Sequence, residues 1–306
     1  MKNLFYLTLL GFLAAPQFAR ADCKSLRLRN FDGFHDFRQE PRPTIEFGVR
    51  AEDDCRYFAT VDNAGASSYQ TRVLRRYFGF GGELPISICL DAACTRHWKQ
   101  IPEAAANADV LSGAFGNSGG ETSLRYYPRL GTNEYPPYGD YDASFTVRLY
   151  EGAVDGSRVL RDIDTVRFSA RVEKRIDVSL VSTGFPFDST ATSKTLDFGI
   201  LSAGKEMGFD VLVKYNAGYR LRLSSENNGV MKHTGAEATL PYTLYLNNSP
   251  VALSGSRGAP VEVSQGSGLS AAAGLRFPGR VRIGSFGTAR AGTYEDRLTL
   301  TVSTNE

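Results

Sequence analysis

An all-β fold, built as two similar sandwiches in tandem, is predicted for this chain by three observations. Apolar and polar residues alternate in short runs, turn-forming clusters separate the runs, and three blocks of sequence occur twice in the same order. Phe145, Val147 and Leu149 alternate with polar neighbours, as do Tyr219, Leu221 and Leu223, and Leu298, Leu300 and Val302. Side chains on one strand face recur every second residue, so each run has one buried face. Asn227-Asn228-Gly229 and Asn247-Asn248-Ser249-Pro250 supply turn chemistry between runs. With 31 Gly, 13 Pro and no long amphipathic stretch, the one short helix expected lies within residues 102–111.

The elements repeat in order. Phe47-Gly-Val-Arg-Ala followed by Tyr57-Phe-Ala-Thr-Val returns as Phe209-Asp-Val-Leu-Val followed by Tyr219-Arg-Leu-Arg-Leu. Leu84-Pro-Ile-Ser-Ile-Cys-Leu returns as Leu240-Pro-Tyr-Thr-Leu-Tyr-Leu, and Gly139-Asp-Tyr-Asp as Gly292-Thr-Tyr-Glu. The copies differ at their ends. In the first, an alternating strand carrying Val166, Phe168, Ala170 and Val172 follows and can close the sandwich, whereas the equivalent strand of the second, residues 294–302, is followed only by Ser303-Thr-Asn-Glu306. An open sheet edge is an aggregation hazard, for which a strand from another chain is one remedy. The edge of that groove is expected at Tyr294, Leu298, Leu300 and Val302.

The 306 residues, 42% hydrophobic and 22% charged, suit two domains of about 100–200 residues and exclude a disordered or collagen-like chain. Lys2, the apolar run 4–15 and Ala19-Arg20-Ala21 read as a signal peptide over residues 1–21, with export through the periplasm and no membrane anchor expected. Its removal takes away both charges of the +2 net, and a neutral chain has no general attraction for nucleic acid.

Cysteines of an exported chain pair. Four allow three connectivities; Cys23 with Cys55 and Cys89 with Cys94 are favoured, the latter flanking the turn Leu90-Asp-Ala-Ala93. The larger loop is worth roughly 3–4 kcal/mol by chain entropy. A metal site at Cys89, Cys94 and His97 is the rival, without the usual thiolate spacing.

At this point the residues match a family. Both halves resemble the spore coat protein U domain, which is also the domain of archaic (Csu-type) chaperone-usher pilus subunits. The resemblance rests on Cys23, Cys55-Arg-Tyr57, Arg72 with Leu74, Leu84-Pro85, Trp98 and Tyr138-Gly-Asp-Tyr-Asp142 in the first half. In the second it rests on Leu196-Asp-Phe-Gly199, Tyr219 with Leu221 and Leu223, Ser224-Ser225 before Asn228-Gly229, Leu240-Pro-Tyr242 and Ala291-Gly-Thr-Tyr-Glu-Asp296. It implies immunoglobulin-like Greek-key sandwiches, residues 22–173 surface-binding and 174–306 strand-accepting, the second lacking its last strand. It also implies a tip adhesin of a fimbria that attaches cells to surfaces and builds biofilm. The partners would be a periplasmic chaperone, an outer-membrane usher, a neighbouring pilin that donates a strand, and an abiotic or host surface. Mature Asp22 meets Cys23 at once, without the donor extension of shaft pilins, and the second half lacks the family's cysteines.

Adhesive loops are expected at Tyr77, Phe78 and Phe80 among glycines, and at Tyr135, Pro136 and Pro137, where Pro-Pro stiffens a projection. Phe31, Phe34 and Phe37 form a third, weaker candidate. The alternative is that these rings are core residues. Two motifs mimic enzymes. Gly116-Asn-Ser-Gly-Gly120 resembles a protease nucleophile loop, but only His35 and His97 precede Ser118. Asp197-Phe-Gly199 mimics a kinase metal loop without its companions and is expected as a strand end. Glu52, Asp53 and Asp54 are expected as a solvated turn. No cofactor, metal or catalytic residue is assigned; a coat protein is the alternative function and a secreted hydrolase the distant one.

Overall fold

The computed structural model describes residues 23–41, 43–78, 81–131 and 135–305; residues 1–21, expected to be a signal peptide, lie outside them. The first sandwich contains β1 (Arg27–Arg29), β2 (Phe34–Asp36), β3 (Ile45–Ala51), β4 (Cys55–Val61), β5 (Val73–Arg76), β6 (Glu83–Cys89), β7 (Leu111–Phe115), β8 (Gly120–Leu130), β9 (Gly139–Gly152) and β10 (Arg158–Val172). The second contains β11 (Ile176–Val181), β12 (Glu206–Tyr215), β13 (Tyr219–Ser225), β14 (Val230–His233), β15 (Thr239–Leu246), β16 (Ser249–Pro250), β17 (Val261–Gly266), β18 (Leu275–Ile283), β19 (Tyr294–Glu295) and β20 (Leu298–Ser303). No ladder joins a strand of one group to a strand of the other among the described residues. In place of the short helix expected within residues 102–111 there is a single 3-10 turn at Asn107–Asp109.

One layer of the first sandwich runs β1-β3-β8-β6-β5 and the other β7-β4-β9-β10-β2, with β5 also touching the start of β9. The N-terminal strand is split. Its β1 half pairs antiparallel with β3, and its β2 half pairs parallel with β10, the immunoglobulin-like arrangement. Cys23 and Cys55 are bridged, as are Cys89 and Cys94. Both sulfurs beside His97 are thereby joined to each other, which removes the thiolates that a metal site there would need.

The repeat read from sequence is a repeat of pairing. Ala59 lies opposite Leu149 and Val61 opposite Val147; in the second copy Leu221 lies opposite Val302 and Leu223 opposite Leu300. Pro85 and Pro241 each accept a hydrogen bond from a glycine, Gly131 and Gly284, at 2.7 and 2.9 Å. Tyr141 and Tyr294 each donate their hydroxyl to the carbonyl four residues upstream, Pro137 and Arg290. This is the tyrosine-corner geometry of such sandwiches. The glycines two residues before these tyrosines, Gly139 and Gly292, adopt φ of 141° and 145°. A side chain there would be strained, and its Cβ would strike Arg76 or His233.

Trp98 and Arg72 organise the first core. Trp98 is fully buried, stacks on Phe47, and donates its indole N–H to the Ala59 carbonyl at 2.7 Å. Arg72, 1% exposed, donates to Asn63 Oδ1 and to the carbonyls of Trp98 and Val61. Burial lowers its pKa to about 10, with Glu103 and Asp62 opposing the shift. All three groups it serves would lose their donor in Arg72→Ala. The loss expected is about 3 kcal/mol, from buried polar groups left unpaired; urea unfolding followed by Trp98 fluorescence measures it.

Candidate functional site

The two copies differ where a strand pairs on one side or on both. In the first, β9 pairs with β4 over its distal half and with β10 along its whole length, with one bulge between Leu160 and Asp162. Its inward residues Phe145, Val147 and Leu149 are completely buried, and Val166 and Phe168 of β10 cover them. In the second, the sheet is β17-β13-β20 and stops. The inward residues of β20, Leu298, Leu300 and Val302, are all only half-buried. Across the open side, Ile176, Val178 and Leu180 of β11 are half-buried too. The floor between these edges is Val211, Val213, Leu221 and Phe277, all buried. An apolar groove thus runs where β10 would lie in the first copy.

Two details differ from the sequence reading. The strand expected over residues 294–302 is two strands: β19 pairs with β14 in the opposite sheet, so Tyr294 lies outside the β20 edge that carries Leu298, Leu300 and Val302. Asp197-Phe-Gly199 is a turn, not a strand end; Gly199 N–H donates to Asp197 Oδ1 at 2.8 Å. That turn belongs to the long connection from β11 to β12, which lays Leu196 and Phe198 against Leu223, Leu244 and Val281. The lower part of the second core is therefore partly covered by its own chain.

The first sandwich has two unlike ends. Residues 52–54, 116–119 and 153–157 gather at the end far from the second sandwich, where Gly152 opposes Arg158 and Cys55 opposes Phe115. That end is polar; Asp53 accepts the Lys24 N–H, and the Gly116-Asn-Ser-Gly119 motif is a plain turn between β7 and β8. The aromatic loop between β5 and β6 lies at the other end, where Gly82 approaches Pro137 and the Tyr141 hydroxyl. Tyr77 and Phe78 are 62% and 76% exposed and meet edge to face at 4.5 Å; Phe80 falls outside the described residues. Phe37 is core, Phe31 packs on Phe47, and Phe34 is exposed.

Tyr135, Pro136 and Pro137 sit at the junction of the two sandwiches rather than on a free projection. The Tyr135 hydroxyl donates to Asp177 Oδ2, and the Arg175 guanidinium lies 5.0 Å from its ring centroid. Asn216, 4% exposed and on the turn between β12 and β13, joins everything here. Its Nδ2 donates to the carbonyls of Pro136 and Glu173 at 3.0 and 2.9 Å, and its Oδ1 accepts the Arg175 N–H at 2.6 Å. Its backbone N–H donates to Arg175 O, and its carbonyl accepts the Tyr138 N–H. No spacing or motif flags Asn216, because all five of these bonds reach residues at least 41 positions away in the chain.

No family model matches the chain, and no curated protein matches it in sequence. Solved structures similar to it include the CsuC-CsuE chaperone-tip adhesion subunit pre-assembly complex from archaic chaperone-usher Csu pili of Acinetobacter baumannii, at 15% identity, TM-score 0.41, covering 92% of this chain and 99% of that one. A chaperone-tip adhesin complex of CFA/I fimbriae biogenesis is 14% identical with TM-score 0.40, covering 93% and 97%. The CupB6 tip adhesin from Pseudomonas aeruginosa is 13% identical with TM-score 0.36, covering 85% and 86%. At TM-scores below 0.5 these likenesses do not carry the function, which rests on the edges and loops of this chain.

Asn216→Ala removes the donor from two carbonyls and the acceptor from one N–H. It should cost about 2–3 kcal/mol and loosen the junction, so that tryptic cleavage at Lys174 and Arg175 accelerates by roughly tenfold through local opening. Time-resolved proteolysis with mass spectrometry reads this.

Proposed function

We propose that this protein is the tip adhesin subunit of a chaperone-usher fimbria, with a closed first sandwich (residues 22–173) and a strand-accepting second one (174–306). The observation that carries the reading is the contrast between β9, flanked on both sides and with its inward residues fully buried, and β20, paired on one side with Leu298, Leu300 and Val302 half-exposed. A strand laid antiparallel to β20, as β10 lies on β9, would satisfy the free backbone edge and fill the groove with alternate side chains. A periplasmic chaperone would hold that groove until an usher delivers the subunit to a neighbouring pilin. The sequence resemblance to the spore coat protein U domain points to the archaic type, and attachment and biofilm follow from it. Export to the cell surface belongs to the same reading.

For adhesion, the exposed ring pair Tyr77–Phe78 is the contact offered to a surface, with Phe80 beside it in sequence. Its place beside the junction means that the flank of the first sandwich, not its polar far end, makes the contact. The chemistry required is apolar burial, so no catalytic group enters.

Expressed in a bacterial periplasm without partners, the chain is expected to aggregate, or to yield a folded fragment ending near residue 172 and a labile remainder. Light scattering and thermal unfolding distinguish these from two independently stable sandwiches, the result that would overturn strand acceptance and favour a self-contained coat protein. Hydrogen exchange gives a residue-level check: amides of β20 should exchange at least about a hundredfold faster than those of β9 until a complementing strand is supplied. The double substitution Tyr77→Ser with Phe78→Ser should leave unfolding of the first sandwich within about 0.5 kcal/mol, while attachment to a hydrophobic plastic falls several-fold, as counted by adherent cells.

A further inference from the structure

The lower half of the groove beside β20 already has an occupant, and it comes from the chain itself. Leu196 and Phe198, in the connection from β11 to β12, rest on the buried cluster of Leu223, Leu244 and Val281, which Leu298 also covers. Phe198 and Leu201 rest on the adjoining buried cluster, which Tyr294 covers. In the first sandwich the corresponding places belong to β10: Val166 lies opposite Phe145 and Ala170 opposite Tyr141, with Phe168 between them, and all three are buried. Tyr141 and Tyr294 are the equivalent corner tyrosines, and Phe145 and Leu298 each follow theirs by four residues. Val166-Arg-Phe-Ser169 and Leu196-Asp-Phe-Gly199 share one pattern: a branched aliphatic residue, a charge, a phenylalanine and a small residue. Both segments also run in the same direction, from the place beside Phe145 or Leu298 towards the corner tyrosine.

The likeness stops at the backbone. β10 pairs with β9 from Gly139 to Gly152, whereas no residue from 193 to 201 pairs its backbone with a strand among the described residues. Gly199, at φ 56°, donates its N–H to Asp197 Oδ1, a turn that takes the segment out of extended form. Backbone bonds tie the connection down only on either side of it, from Leu180 N–H to Ala191 O and from Gly204 N–H to Ile283 O. Between these ties the Lys205 ammonium donates to the carbonyls of Phe198 and Ile200. Leu196, Phe198 and Leu201 remain half-buried. An occupant that supplies side chains without backbone bonds loses to a strand that supplies both. We infer that residues 193–201 are a placeholder: they shield the lower half of the groove until a strand arrives, and that strand, pairing along β20, displaces Leu196 and Phe198 to solvent. This rests on the strand-accepting reading of the second sandwich and adds that its groove is guarded by its own chain.

The test uses the chain as assembled, on intact cells that carry the fimbria, where the groove holds its donor. Phe198→Cys and Ile200→Cys are displayed in turn and labelled with a membrane-impermeant maleimide; all four native cysteines are bridged and stay silent. Ile200 is 91% exposed and sets the rate of a freely accessible thiol. Displacement should bring the thiol of Phe198→Cys to within about threefold of that rate, since access governs labelling. A slower rate would mean that position 198 stays in the core with the donor bound, which overturns the placeholder and leaves strand acceptance standing. Phe198→Ser should keep the displayed amount within about twofold of wild type, whereas Leu244→Ser should cut it at least about tenfold by opening a true core; Leu244 is 1% exposed. Loss of display in Phe198→Cys, or a loss in Phe198→Ser that matches Leu244→Ser, would likewise overturn the placeholder alone. Absence of the wild-type chain from surface fibres would overturn strand acceptance, and the placeholder with it.

Discussion

Everything distinctive about this molecule follows from how many neighbours one strand has. A β-strand exposes backbone donors and acceptors on both sides, and a buried group without a partner costs free energy comparable to a lost hydrogen bond. In the first sandwich β10 meets that demand for β9 and, with the same stroke, buries Phe145, Val147 and Leu149. In the second, β20 pairs with β13 in the equivalent register but has no outer neighbour among the described residues. Backbone pairing and side-chain burial therefore fail together there, which is why the half-exposed Leu298, Leu300 and Val302 and the free edge describe one feature rather than two.

The copies also solve a common mechanical problem by different chemistry. Each ties the chain ahead of its first strand to the approach to the strand that carries Tyr57 or Tyr219. In the first copy the Cys23–Cys55 disulfide does this, two residues before Tyr57. In the second, which has no cysteine, Asn216 stands three residues before Tyr219 and hydrogen-bonds Glu173 and Arg175. A disulfide joins two points, whereas an amide has donors to spare. Asn216 uses them on Pro136, so the tie within the second sandwich is also the tie between the sandwiches. The residues of the Tyr135-Pro-Pro segment are consequently held at the junction.

Read by itself, the sequence determined the all-β class and the doubling of one plan, and it favoured, among three possible connectivities, the cysteine pairing that the structure shows. These are local or short-range matters: alternation of two sets which side chains face inward, turn glycines such as Gly139 and Gly292 mark left-handed backbone, and equivalent blocks keep equivalent partners, as Ala59 with Leu149 and Leu221 with Val302 show. Tertiary structure alone decided at which end of the first sandwich the aromatic loop lies, that residues 294–302 divide between two sheets, and that Asn216 joins Pro136 to Glu173 and Arg175. Periodicity specifies the face of a strand but is silent on which distant turns converge, because that depends on strand order and on how two sandwiches meet, a property of no single segment.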